Sequence, residues 1–287
     1  MPAIDYIYRF DPKNTAKKPL PATPDLAKRE LEIGNRTFAE WMKSCQIGAT
    51  KPRQPPFVIE CSGLNFGHVH SKKVPHQDPF AIVIGCSDAR VPIEMIFGQG
   101  FNELFVVRVA GNVLADECWG SIDYALQELS ETVKLVVVMG HSGCGAVTAA
   151  VDAYLDPEKY AMDHTSFPVR TILRHIFIPV HRAAKGLVDV WGAKAPKAAG
   201  YRSALIEISV ALNAAAAAHS IRVANERARR ADVQVLYGVY DLSSHHVCMP
   251  PMAMHEKPDE SPIHLADAPV DASEFEVLAR ELAARLK

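Results

Sequence analysis

Long apolar runs are missing from this sequence. None approaches the roughly 20 residues that a membrane-spanning helix needs, so no membrane partner is expected. The opening M-P-A-I-D-Y-I-Y-R-F lacks the basic-then-apolar pattern of a secretory leader, and a cytoplasmic protein is expected. Charge of one sign is also lacking: 31 Lys and Arg stand against 33 Asp and Glu, a net charge of -2. That balance argues against a strongly basic nucleic-acid surface. Cysteines are few and scattered, at 45, 61, 86, 118, 144 and 248. They show neither the density of a disulfide scaffold nor the C-x-x-C pair of a zinc ribbon or dithiol enzyme. No Gly-Lys-Thr follows the glycine-rich turns, so a phosphate loop is unsupported. There is no internal repeat and no extended low-complexity segment. At 287 residues the chain has room for one large domain or two small ones.

What is present centres on Ile82 to Arg90, which reads I-V-I-G-C-S-D-A-R. A short apolar run that stops at a glycine reads as a buried strand. A second such strand, Leu135 to Met139, runs into Gly140-His141-Ser142-Gly143-Cys144-Gly145. In open α/β sheets, ligands and chemistry collect beyond the carboxyl ends of the strands. The two strand ends bring Cys86, Asp88 and Arg90 towards His141 and Cys144.

The rest of the sequence supports an α/β fold with a mainly parallel sheet flanked by helices. Residues up to about Ala22, rich in Pro and Lys, read as an arm that packs on something else or stays mobile. Thr23-Pro24-Asp25 starts a helix that runs to about Lys43, with Leu26, Leu31, Ile33, Phe38 and Trp41 as its apolar face. Cys45 to Pro79 reads as a long punctuated surface insertion. Its His68, His70 and His76 lack neighbouring Cys or carboxylate partners, which weighs against a second metal site.

Strands are expected at Phe80–Gly85, Leu104–Val109, Lys134–Met139 and Val233–Tyr240. Helices are expected after Pro92 and at 117–131, 145–156, 165–186 and 202–230. Ala214 to Ala218 is a strong helix former whose plainest use is close helix packing. Met249 to Pro269 reads as a Pro-rich connection. Ser273 is expected to cap a terminal helix that carries Phe275, Leu278, Leu282 and Leu286 on one side.

Cys86, His141 and Cys144 form a three-ligand zinc set with one position open, the arrangement of a catalytic zinc. Each has a plainer use: a buried Cys is usually a small hydrophobe, and a His after a strand is often merely hydrogen-bonded. Their convergence at neighbouring strand ends favours the metal. Zinc lowers the pKa of a bound water from about 15.7 towards about 7. Two thiolates cancel the metal's charge, so another group must orient the hydroxide. Asp88 can accept its hydrogen bond, and Arg90 can grip Asp88 and keep it ionised. If Arg90 lets go, Asp88 could instead close the site as a fourth ligand. A strand-end salt bridge is the plain reading of the same pair, and the two are compatible.

Cys86-Ser87-Asp88-Ala89-Arg90-Val91-Pro92 and Gly140-His141-Ser142-Gly143-Cys144-Gly145-Ala146 resemble the two signatures of the β-class carbonic anhydrases. Phe105 to Asn112 and Gly120 to Ala125 are also similar to that family. The N-terminal helix matches loosely, through Leu31, Gly34, Asn35 and Phe38. The resemblance implies a single domain over 1–287, with an N-terminal arm (1–44) used in dimerisation and an insertion at 45–79. It implies zinc on Cys86, His141 and Cys144, with Asp88 and Arg90 as the catalytic dyad. Gln99 matches a position that lines the substrate pocket from the partner subunit. Gly111 matches one beside the metal, where a side chain would crowd a substrate. Ala89 stands where the family often has Ser. Residues 45–79 and 156–202 are more elaborate than the family pattern.

The function implied is zinc-dependent, reversible hydration of carbon dioxide to bicarbonate by a homodimer or higher homo-oligomer. Two other functions use the same residues. One is hydrolysis of carbonyl sulfide or carbon disulfide, linear analogues of carbon dioxide. The other is a zinc-binding dimeric protein without turnover, which the Asp88–Arg90 pair argues against.

Overall fold

The computed structural model describes residues 4–10, 19–47, 55–62, 74–162, 166–249 and 265–287. Its frame is one sheet in which β3 (Ala81–Gly85) lies between β4 (Leu104–Arg108) and β5 (Leu135–His141), all parallel. β6 (Gln234–Tyr240) extends the sheet beyond β5, also in parallel. Two-residue strands β7 (Val247–Cys248) and β8 (Ala266–Asp267) pair antiparallel with β6. Every residue of β3 and β5 is buried, as expected for strands covered on both faces.

Alternate side chains feed two cores. Ile82, Ile84, Val136 and Val138 pack against α3 (Asp116–Glu128), α4 (Gly145–Leu155), α6 (Phe167–Trp191), α7 (Tyr201–Arg227) and α8 (Ala272–Arg285). Ala81, Val83, Leu135 and Val137 face α1 (Pro24–Ile47), α2 (Ile93–Ile96) and a two-stranded sheet, β1 (Tyr6–Phe10) with β2 (Phe57–Cys61). A short helix α5 (Pro157–Met162) links α4 towards α6.

The polypeptide leaves β3 on one side to form β4, then crosses to the other side to form β5. The reversal opens a crevice at the carboxyl ends of β3 and β5, where ligands bind in such sheets. Gly85 is level with Met139, so Cys86 and His141 both emerge at that crevice.

The structure corrects the sequence reading in three places and decides it in a fourth. The segment 45–79 is not all loop: α1 runs on to Ile47, and Phe57–Cys61 is a strand. In the N-terminal arm the packed alternative holds for Tyr6–Phe10, which is β1, parallel to β2 with Tyr6 opposite Phe57. Both strands are short, and a parallel partner far along the sequence leaves no local signal. His68 and His70 lie outside the described residues. At α8 the cap is Asp271, whose carboxylate accepts from the N–H groups of Ser273 and Glu274. Ser273 sits inside the first turn and donates its hydroxyl to Asp271. Lastly, α7 is long and apolar enough to cross a membrane, though 78% of that apolar window is buried within the fold. Ala214 packs on Gly140 of β5, so the alanine run does serve close packing.

Helix α1 is fixed by Gly34 and Asn35. A Cβ at Gly34 would lie 1.8 Å from the Phe97 carbonyl oxygen, so only glycine permits this approach. Asn35 is fully buried and bridges three backbone groups. It donates to the carbonyls of Ile96 and His245, and accepts from the Val247 N–H at 2.8 Å.

Candidate metal centre

Cys86 follows β3, His141 ends β5, and Cys144 precedes the first residue of α4. Their ligand atoms lie within 4.8 Å of one another, and all three side chains are buried. A tetrahedral ion with Zn–S near 2.3 Å and Zn–N near 2.0 Å needs ligand atoms about 3.5–3.8 Å apart, which this group can meet with small adjustments. The turn that brings Cys144 in depends on Gly143, whose φ is +62°.

His141 Nδ1 lies 3.0 Å from the Ser142 carbonyl. A carbonyl can only accept, so Nδ1 carries the proton and the neutral ring keeps its lone pair on Nε2. Nε2 is buried and has no hydrogen-bond partner. An orphaned imidazole nitrogen facing two thiols fits a soft or borderline cation such as zinc. The sulfurs point the same way. The Cys86 thiol is pulled well below its usual range by the Cys144 S–H, helped by the Gly111 N–H, against the opposing effect of burial. Cys144 is pushed up in turn by the Cys86 thiolate and by burial. A cation between the two sulfurs would stabilise both as thiolates.

Asp88 stands at the mouth of this group, its Oδ2 3.8 Å from His141 Nε2. Arg90 grips it with two prongs, Nε to Oδ1 at 2.9 Å and Nη2 to Oδ2 at 2.7 Å, and adds its backbone N–H at 2.9 Å. These bonds hold the Asp88 carboxyl well below the usual carboxylate range. Arg108, at the end of β4, ties the segment down from behind. It donates to the Cys86 carbonyl at 3.1 Å and the Asp88 carbonyl at 2.6 Å.

Gly111 has φ +67°, and its N–H donates to Cys86 Sγ at 3.3 Å. A Cβ there would sit 3.0 Å from Ala146 and from Ile176, so packing as well as backbone conformation requires glycine. Gln99 is not in the metal-capable cluster of its own subunit. It is buried beside Gly34, with Nε2 donating to the Phe97 carbonyl at 2.8 Å and Oε1 unpartnered.

Several supporting residues carry no signal in the sequence. Asp241 accepts from the Ser142 hydroxyl at 3.2 Å and from Ser243 and Ser244, and so pins the residue that holds the His141 ring. Glu207 of α7 lies against the same loop. Burial pushes its carboxyl up, and the Gly143 N–H draws it partly back. Arg108 and Asp241 reach the site through backbone atoms or neighbouring residues, which leaves no local motif.

Fold and site together define an α/β protein with a buried Cys-His-Cys group, able to hold a metal, at the switch point of its sheet. A family model described as carbonic anhydrase matches residues 81–247, more than half of the chain. The chain belongs to the carbonic anhydrase family, in its β class. It is 48% identical over 144 residues to carbonic anhydrase 2 of Mycobacterium tuberculosis, a match over 49% of this chain and 60% of that protein. It is 49% identical over 77 residues to a carbonic anhydrase of Mycolicibacterium smegmatis, over 27% of this chain and 36% of that one. The matches thus span less than two thirds of these relatives' length. Among solved structures, the β-carbonic anhydrase CcaA is 25% identical, covering 60% of this chain and 80% of its own, with a TM-score of 0.46.

Proposed function

We propose that this protein is a zinc enzyme that interconverts carbon dioxide and bicarbonate. One observation carries the reading: an ionised, doubly gripped Asp88 set 3.8 Å from the unpartnered Nε2 of His141, beside two thiols. A closed structural zinc site has no use for a carboxylate held at its mouth. Cys86, His141 and Cys144 would hold the metal, leaving one position for solvent or substrate.

Zinc bound there would supply an acidified water, its pKa lowered from about 15.7 towards about 7. The protein's own residues do the rest. Asp88, kept ionised by Arg90, can accept a hydrogen bond or a proton in the crevice but cannot donate one. Its direction is set by the bidentate grip, and Arg108 fixes the backbone on which it rides. Beside Cys86, Ala146 and Ile176 crowd Gly111, giving the apolar surroundings that suit an uncharged linear molecule.

The assembly we propose is a homodimer or higher homo-oligomer built through the N-terminal arm. Ile7, Tyr8 and Phe10 of β1 and Leu26 and Ile33 of α1 are all exposed in the single subunit, and an apolar patch of this kind marks a docking face. A cytoplasmic setting goes with this reading, since it keeps thiols reduced for the metal. Among the described residues the cysteines are all free.

The test is stopped-flow carbon dioxide hydration on protein of verified zinc content, across pH. A zinc-dependent rate that rises with pH is expected. Full zinc occupancy with no hydration would overturn the substrate assignment and turn attention to carbonyl sulfide and carbon disulfide. Failure to take up zinc would overturn the metal assignment itself.

A further inference from the structure

Helix α7 carries an amide in the middle of its buried apolar stretch. Asn213 lies between Leu212 and Ala214 and is 4% exposed. A buried amide is costly unless it is hydrogen-bonded, and alanine would suit the helix better. Its partner explains its presence: Nδ2 donates to the Gly111 carbonyl at 2.7 Å, across 102 positions of sequence.

Gly111 is the residue whose N–H donates to Cys86 Sγ at 3.3 Å. Its carbonyl and its N–H belong to adjoining peptides, separated only by the φ and ψ of a glycine. Glycine is the residue freest to rotate there, so the N–H that faces the sulfur stands on the softest joint of the turn. Asn213 clamps the far side of that joint. The near side is bounded by Ala146 and Ile176. Ser209, one turn earlier on α7 and equally buried, has no hydrogen-bond partner for its Oγ. Buried polarity on this helix is therefore not tied to the turn in general.

We infer that Asn213 is a positioning residue for the metal centre: it fixes Gly111 so that the Gly111 N–H stays hydrogen-bonded to the Cys86 sulfur. The inference rests on the zinc reading above. An N–H donated to a thiolate draws charge from the sulfur and makes it a weaker donor to the metal, which leaves the metal a stronger Lewis acid. It also orients the lone pair that binds. Groups that hold ligands in this way commonly change metal affinity by about 10–100-fold when removed.

The experiment compares full-length wild type, Asn213→Ala and Ser209→Ala. Zinc affinity is measured by chelator competition, and the sulfur-to-metal charge-transfer band is read in the Co²⁺-loaded protein. Thermal unfolding establishes that each variant is folded. For N213A we expect zinc binding weaker by about 10–100-fold, because losing the fixed orientation of the Cys86 lone pair outweighs the stronger donation of the freed thiolate, and a band moved to lower energy, because that thiolate is the better electron donor. S209A should match wild type in both. A folded N213A with wild-type affinity and an unmoved band would overturn the role, as would an equal shift in S209A. Should the cavity left by alanine unfold the protein, Asn213→Leu fills a similar volume without a donor and is read in the same way. Wild type that takes up neither metal overturns the zinc reading instead, so the two failures are told apart.

Discussion

At the scale of single residues, Asp88 and Arg90 ask to be separated into structural and chemical roles. Their ion pair is bidentate, but the Arg90 side chain is 59% exposed. Exposed pairs contribute little to stability because solvent screens them. If the pair served the fold, its loss would hardly register; if it serves the reaction, the loss is large. Asp88→Asn keeps the shape and one hydrogen-bonding oxygen but removes the ionised acceptor. We expect zinc content and Tm close to wild type, with kcat for hydration lowered by about 100-fold or more, the range of acid–base groups. Metal analysis, thermal unfolding and stopped-flow kinetics on one preparation decide it, and an unchanged rate would leave the pair merely structural. These two residues and the three ligand candidates are legible in sequence because each sits within a few positions of a strand end. Arg108, Asn213 and Asp241 are not. They are ordinary residue types that hold carbonyls or a serine 20 to 102 positions away, and only the folded sheet brings those distances to hydrogen-bond length.

At the scale of elements, the parallel strands and long helices can be read because apolar runs and 3.6-residue periodicity are local signals. The β1–β2 pair cannot, since its register joins Tyr6 to Phe57. The close approach of α6 to α8 is equally hidden, and it turns on Gly186. A Cβ at Gly186 would lie 2.8 Å from Ala279 Cβ and 2.9 Å from the Ala279 carbonyl carbon and oxygen. Two effects oppose each other in Gly186→Ala. Helix propensity favours alanine by about 1 kcal/mol. Against it, the neighbour is backbone, which yields only if the whole of α8 moves, and overpacking of this kind costs about 1–3 kcal/mol. We expect the clash to win, with a lower Tm in thermal unfolding. A raised Tm would mean that the two helices slide apart freely. The metal centre lies on other elements, so zinc content per folded molecule should not change.

At the scale of the whole molecule, stability should depend on pH in two steps, and the sign follows from which groups the fold holds away from their ordinary pKa. Burial lowers the pKa of His245, whose Nδ1 lies 2.9 Å from the Tyr240 hydroxyl and whose ring meets Phe38 edge-on. The unfolded polypeptide takes up that proton first, near pH 6.5. The stability contributed by neutral His245 is therefore complete above about pH 6.5 and is lost as pH falls below it. Asp241 is lowered too: burial opposes ionisation, but the N–H and hydroxyl groups of Ser243 and Ser244 outweigh it. Its contribution is present above about pH 3.9 and is lost below. Asp88, Asp152 and Glu276 are shifted the same way by exposed Arg90, Arg202 and Lys185, and solvent screening keeps their share small. Tm should thus be level near pH 7, decline gently from about 6.5, where the raised carboxyl of Glu207 partly offsets His245, and fall more steeply below about 4. His245 also has φ +65°, a conformation that asparagine tolerates better than most residues. His245→Asn should therefore keep the turn while removing the first step. A Tm profile in which H245N declines between about pH 6.5 and 5 as wild type does would assign that step elsewhere. Loss of the first step with the acid step retained would tie it to the His245 ring at the seam between α1 and the end of β6.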